Sequence, residues 1–144
     1  MVDTRAGLLI VDDEVTIRMS MSNVLTELGY RVRSADDGFT ALLEIHQEIP
    51  NILLTDLKMP GISGFELLSV VRRCHPSIQT IALSGSFSGN EVPSGVIADA
   101  FYEKGSSVAA LLKIIQALTL PRRNMPNTQP IRSFGLLKIA PLVS

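Results

Sequence analysis

Five polar residues spread over more than 90 positions form a coherent chemical set if folding brings them together: Asp12, Asp13, Asp56, Ser84 and Lys104. A carboxylate can attack phosphorus and form an acyl phosphate, which divides a difficult transfer into two easier steps. The transferred group spreads negative charge over its outer oxygens and the nucleophile is itself anionic, so cations must stand nearby. Mg²⁺ takes hard oxygen ligands, usually one or two carboxylates with phosphate and water, and Asp12 with Asp13 offers them. Lys104 adds a compact positive charge, and Ser84 a neutral donor for a phosphoryl oxygen. Plainer readings exist for single members of the set. Asp13 could cap a helix and Ser84 could open a turn.

What would bring the five together is the alternation of segments that contain them. Short apolar runs at Gly7 to Val11, Asn51 to Thr55 and Ile78 to Leu83 read as strands covered on both faces, and Ala100 to Glu103 as a short further strand. Tyr30 to Ser34 alternates, as a more exposed strand does. Helical spacing marks Glu14 to Leu28, Thr40 to Gln47, Gly64 to Cys74 and Val108 to Leu118. Gly29 suits a left-handed helix end, Asp36-Asp37-Gly38 breaks the chain before a helix, and Ser106 or Ser107 suits the start of the last one. Between Gly85 and Gly95 three Gly, three Ser and Pro93 are poor helix material, so that unit's helix is expected to be short. Five strand–helix units in about 110 residues predict an α/β fold on a parallel sheet. In such a sheet the carboxyl ends of the strands lie along one edge, where ligands bind. Asp12-Asp13, Asp56, Ser84 and Lys104 follow the first, third, fourth and fifth strands.

Bulk properties agree with a soluble cytoplasmic domain. The chain is 46% hydrophobic and 19% charged, enough for a core and too apolar for disorder. Val108 to Leu120 is too short to span a bilayer and reads as a buried helix, and the first residues lack a signal-peptide core. Cys74 is the single cysteine, so one chain builds neither a disulfide nor a multi-cysteine metal site. Cys74 itself reads as structural, as do His46 and His75, and Arg72-Arg73 suits a helix carboxyl end. Residues 1–118 hold 14 acids against 9 Lys and Arg, whereas 119–144 hold Arg122, Arg123, Arg132 and Lys138 with no acid. An acidic body gives no broad face for nucleic acid. Four prolines after Leu118 exclude a long helix there, and the apolar stretch Phe134 to Val143 could pack on the domain or on a partner.

The segments Leu9-Ile10-Val11-Asp12-Asp13-Glu14, Ala35-Asp36-Asp37-Gly38, Asp56-Leu57-Lys58-Met59-Pro60-Gly61, Leu83-Ser84-Gly85 and Phe101-Tyr102-Glu103-Lys104 resemble the receiver domains of two-component response regulators. The resemblance covers residues 6–118, and the ordered combination is far more specific than any one piece. It implies a flavodoxin-like, doubly wound five-stranded parallel sheet in order 2-1-3-4-5 with five helices. It also implies a receiver domain over 1–118 and a Pro-containing basic tail over 119–144 with no effector domain. Asp56 would be the phosphoacceptor, and Mg²⁺ would be held by Asp12, Asp13, Asp56 and the backbone carbonyl of Lys58. Ser84 and Lys104 would contact the phosphoryl group, and Ser84 and Phe101 would couple it to an output face. The phosphodonor would be a sensor histidine kinase, a histidine phosphotransfer protein or a small phosphodonor. The partner beyond it would be a downstream protein of unknown identity, with neither DNA nor membrane bound directly, and the chain a monomer or a homodimer. Catalysis would be confined to the chain's own phosphorylation and dephosphorylation.

Departures from that family fall in the last two units. Gly105 stands where Pro is usual after the Lys, which favours a trans bond and could aim Lys104 differently. Ile97-Ala98 replaces a usual Gly-Ala pair, and Ser84 and Lys104 are slightly closer in sequence than is common. Lys58 and Ser86 occupy positions that tune phosphoryl lifetime in the family, and Lys58 could equally point to solvent. Two other functions compete with the phosphoacceptor switch. One is a phosphorylation-independent interaction module, a pseudo-receiver acting through the altered units. The other is an aspartyl-phosphate hydrolase of the haloacid dehalogenase type, but Lys58 stands where such enzymes place a second acid.

Overall fold

The computed structural model describes residues 6–85 and 97–119. Five strands, β1 (Gly7–Val11), β2 (Arg31–Ala35), β3 (Ile52–Asp56), β4 (Gln79–Ser84) and β5 (Ala100–Glu103), form one sheet in the order β2-β1-β3-β4-β5. Every neighbouring pair is parallel. Four helices are present among the described residues: α1 (Val15–Glu27), α2 (Gly38–Gln47), α3 (Gly64–Cys74) and α4 (Val108–Thr119). The weak helix expected between Gly85 and Gly95 lies almost wholly outside the described residues, as does the tail from residue 120 on. The fold is the doubly wound, flavodoxin-like sheet that the sequence predicts.

Side chains along a strand alternate between faces, and the core divides accordingly. Leu9, Val11 and Leu53 pack with Ala41 and Ile45 of α2 and Leu67, Leu68 and Val71 of α3. Leu8, Ile10, Ile52, Leu54, Ile81 and Leu83 point the other way, onto Leu25 of α1 and Leu111 and Ile115 of α4. Each fully buried side chain of this kind contributes about 1.5–3 kcal/mol, so the inner strands are the best-anchored part of the chain. β2 is an edge strand and correspondingly exposed, with Arg33 paired to Glu44 at 2.8 Å and Arg31 to Glu48 at 3.3 Å. The last helix is half-buried, not wholly buried as its apolar sequence implied. α4 buries Leu111 and Ile115 but leaves Val108 42% exposed, because only one of its faces meets the sheet. No helix among the described residues is long and apolar enough to cross a membrane.

Local signals set the helix starts. Asp37 accepts the Thr40 N–H at 2.7 Å and opens α2, two residues earlier than the apolar spacing implied. Ser63 and Glu66 form a reciprocal capping box at α3, and Ser107 accepts the Ala110 N–H at 3.1 Å at the start of α4. Gly29 adopts φ 101° after α1, as a helix-ending glycine should. The ends of β2, β3 and β4 each lie one residue later than the sequence suggested, at Ala35, Asp56 and Ser84. Backbone pairing runs on past the apolar residues, as in Leu57 N–H to Leu83 C=O at 3.3 Å and Lys104 N–H to Ser84 C=O at 2.9 Å. Asp56 and Ser84 are therefore last rungs of the ladder, not free loop residues.

The turn after β3 is held by a close backbone approach. The Gly64 N–H donates to the Leu57 carbonyl at 3.0 Å, and a Cβ on Gly64 would lie 1.9 Å from the Asp56 carbonyl oxygen. No side chain fits there without moving the β3 terminus. Gly64→Ala is therefore expected to cost about 3 kcal/mol, the upper range for overpacking. A urea titration checks this, and a midpoint close to wild type would refute it.

Candidate functional site

The carboxyl edge of the sheet brings four of the five residues into direct electrostatic contact and places the fifth beside them. Asp12 follows β1 and stays on the ladder through its N–H to the Ala35 carbonyl at 3.2 Å. Its side chain is fully buried, and Oδ1 accepts the Glu14 N–H at 2.8 Å. Asp13 is exposed and does not cap α1, which begins after Glu14 without a side-chain cap. Asp56, 7% exposed, ends β3 in register with Leu83. Carboxylate oxygens of Asp12, Asp13 and Asp56 lie within 4.8 Å of one another, the single acidic or metal-ligating group of this kind among the described residues.

Lys104 reaches into this cluster from the end of β5. Its Nζ lies 2.9 Å from Asp12 Oδ2, 3.2 Å from Glu14 Oε1 and 3.3 Å from Asp56 Oδ2. The Asp12 Oδ2 contact is an ion pair without an aligned hydrogen bond. The stem of Lys104 passes over Gly85, where a Cβ would meet its Cδ at 3.3 Å. Gly105 does not turn the ammonium away as its replacement of Pro suggested it could. The described residues contain no cis peptide bond, Gly105 takes φ 91°, and the loop still delivers Lys104 to the acids.

Ser84 is buried at the end of β4 and its Oγ has no hydrogen-bond partner. A buried hydroxyl without a partner carries a desolvation cost, and here it stands at the edge where an anion would lie. Lys58 is exposed, and its backbone N–H points at Asp56 Oδ1 from 3.5 Å, at the long limit for such a contact. Phe101 is partly buried against the α2–α3 side of the core. His46 is exposed and His75 half-buried at the end of α3, neither in an acidic cluster. Cys74 is exposed, so it does not serve the packing role expected of it. Ser86 lies outside the described residues.

Two contacts carry no signal in residue spacing. Arg18 Nη1 donates to the Asp12 backbone carbonyl at 2.7 Å, and Glu14 joins the ring of acids around Lys104. Glu14 ends the Leu9–Glu14 motif, but its reach to a lysine 90 residues away becomes visible only in three dimensions.

The charges do not balance. Three pocket carboxylates and Glu14 face one ammonium, and water is largely excluded from Asp12, Asp56 and Lys104. Burial pushes the Asp56 carboxyl above its ordinary range, Lys104 opposes the rise, and Asp12 adds to it. Burial alone would lower Lys104, but the Asp12 and Asp56 carboxylates more than reverse this and hold it above its ordinary value. An all-oxygen cluster with surplus negative charge fits a hard divalent cation such as Mg²⁺ and gives no soft ligand for a thiophilic one.

Comparison with known proteins agrees with this geometry. The family described as the response regulator receiver domain matches residues 8–116. The chain belongs to that family, and with it to the receivers of two-component systems. Chemotaxis protein CheY of Pseudomonas aeruginosa is 46% identical over 66 residues, covering 45% of this chain and 53% of that protein. Response regulator RR06 of Streptococcus pneumoniae is 38% identical over 115 residues, 78% of this chain and 52% of that protein. Among solved structures, the chemotaxis response regulator CheY4 of Vibrio cholerae has a TM-score of 0.73 at 29% identity, covering 80% of this chain and 99% of that one. A complex of histidine kinase ThkA with response regulator TrrA contains a chain with a TM-score of 0.72 at 28% identity, matched over 79% of this chain and 98% of that one. The matched segments span from 8% to 53% of the lengths of the sequence relatives, several of which are larger regulators or sensors.

The raised Asp56 carboxyl carries a stability consequence. The folded state holds that proton more tightly than the unfolded chain, so stability falls as pH rises from the ordinary carboxylate range through the raised value. Above the raised value that cost is fully present, and below the ordinary carboxylate range it is absent. Asp56→Asn is expected to be more stable than wild type in metal-free buffer above the raised value. The gain should fade towards acid pH. Denaturant melts of both proteins across the acid range check this, and a constant difference at every pH would contradict it.

Proposed function

We propose that this chain is a Mg²⁺-dependent phosphoacceptor switch whose nucleophile is Asp56 and whose output is protein–protein contact. The observation that carries the reading is the Lys104 ammonium among Asp12, Glu14 and Asp56 beside the unpartnered Ser84 hydroxyl. In the proposed step an Asp56 carboxylate oxygen forms a bond to phosphorus. The bond from phosphorus to the donor breaks, whether to a histidine nitrogen or to the acyl oxygen of a small phosphodonor, and the leaving group takes the electron pair. Asp12, Asp13, Asp56 and the Lys58 backbone carbonyl are the proposed Mg²⁺ ligands. The bound ion would neutralise the charge that otherwise keeps a phosphoryl group from a carboxylate. Lys104 would pair with one phosphoryl oxygen and Ser84 would donate its hydroxyl to another, which ends that hydroxyl's isolation.

The proposed donor is a sensor histidine kinase or histidine phosphotransfer protein, in line with the kinase complex of the structural relative. Phe101, packed on the α2–α3 side next to the strand end that carries Lys104, is the proposed link from Ser84 to an output surface. The excess of acids through residue 118 speaks against direct DNA contact by the domain. The cytoplasm is the proposed compartment, since a histidine kinase delivers its phosphoryl group there. The chain is proposed to act as a switch and not as a turnover enzyme, with residues 1–118 as the receiver and 119–144 as an appended tail.

Acetyl phosphate with Mg²⁺ is expected to add one phosphoryl group to the wild type and none to Asp56→Asn, read by intact-protein mass. Ser84→Ala and Lys104→Ala should each slow labelling by at least roughly tenfold, as loss of a donor to a developing anion does. Mg²⁺ should raise the melting temperature of the wild type and leave that of Asp13→Asn nearly unmoved. A wild type that resists labelling, with spectra and partner binding indifferent to beryllofluoride, would replace this reading with the phosphorylation-independent module.

A further inference from the structure

We infer that Tyr102 is a positioning residue: its buried hydroxyl ties down the loop from Lys104 to Ser107 and thereby holds the Lys104 ammonium among the carboxylates. Tyr102 is 8% exposed and its ring packs with the α1–α4 side of the core, near Leu25 and Leu111. A phenylalanine would serve that packing equally well. The hydroxyl must therefore be accounted for separately, since burying it without a partner would be costly. It donates to the Ser106 carbonyl at 2.5 Å and lies 3.2 Å from the Ser107 carbonyl, a shared donation. Burial also holds the phenol above its ordinary pKa, so it stays a protonated donor.

The loop has few other restraints. Gly105, Ser106 and Ser107 are exposed, Gly105 sits at φ 91°, and a Cβ there would meet nothing within 4 Å. Within the loop, the Ser106 N–H to the Glu103 carbonyl at 3.0 Å closes the turn. Exposed side chains and a glycine in the middle leave a segment free to open unless its backbone is tied. Tyr102 supplies the tie from inside the core, two residues before the lysine whose aim depends on it. A deviation of about 1 Å at a charged group in a site like this is enough to lower a rate substantially.

The kinetic readout rests on the phosphoacceptor reading, whereas the exchange readout does not. In the full chain, Tyr102→Phe keeps the ring and removes the tie. Acetyl phosphate labelling should slow by about fivefold, the effect of one hydrogen bond, while Mg²⁺ affinity by calorimetry stays within about twofold. In a Lys104→Ala background the same substitution should change the labelling rate no further, because its effect runs through that lysine. Without any phosphodonor, amide exchange at Lys104 and Ser106 should rise by about fivefold, with the inner-strand amides of Leu54 and Ile81 unchanged. Wild-type labelling by Tyr102→Phe, an equal loss in both backgrounds, or unchanged exchange at Lys104 and Ser106 would each overturn the inference. A wild type that fails to label would sink the phosphoacceptor reading instead, and the exchange comparison would still decide the role of Tyr102.

Discussion

Crowded negative charge at a nearly dry edge of the sheet is the constraint on which the rest of the molecule depends. Three carboxylates within 4.8 Å of one another repel strongly wherever water is scarce. Only a rigid frame can hold them there. Asp12 and Asp56 are held by the two strands at the centre of the sheet, whose apolar residues are buried on both faces. The folding energy of that core outweighs the repulsion at its rim. Lys104 relieves part of it and leaves a net negative site.

The parallel sheet is itself part of this chemistry. In an antiparallel sheet, neighbouring strands would send their carboxyl ends in opposite directions, and Asp12, Asp56 and Ser84 would not share an edge. Here β1, β3 and β4 are neighbours in the order β1-β3-β4, so residues 12, 56 and 84 line up laterally. Gly64, pressed against the Asp56 carbonyl, and Arg18, bonded to the Asp12 carbonyl, fix the two turns from behind. Neither touches the cluster through its own charge. Both decide where the charges stand.

The parts legible in the sequence were those set by local pattern. Apolar runs gave the inner strands, and the polar residues after the first, third, fourth and fifth strands gave the cluster at the sheet edge. Strand order followed from the resemblance, and Asp37, Gly29 and Ser107 behaved as their types predict. Long side chains were not legible. Glu14 and Arg18 owe their roles to partners chosen by tertiary packing, and Cys74 faces solvent. Lys104 is the instructive case. The glycine that follows it suggested a misdirected lysine, because the sequence shows the missing proline but not the compensating bond from Tyr102.

Phe101 and Tyr102 are adjacent and therefore face opposite sides of β5. Phe101 packs with the α2–α3 half of the core and Tyr102 with the α1–α4 half. Among the described residues β5 is an edge strand of four residues with β4 as its single strand neighbour, so it is the least anchored strand that reaches the site. The inner strands are paired along both edges, whereas β5 is paired along one among the described residues. Lys104 directly follows this strand, so the ammonium is tied to the least anchored strand that reaches the site. Through its two aromatic residues that strand bears on both helical layers at once.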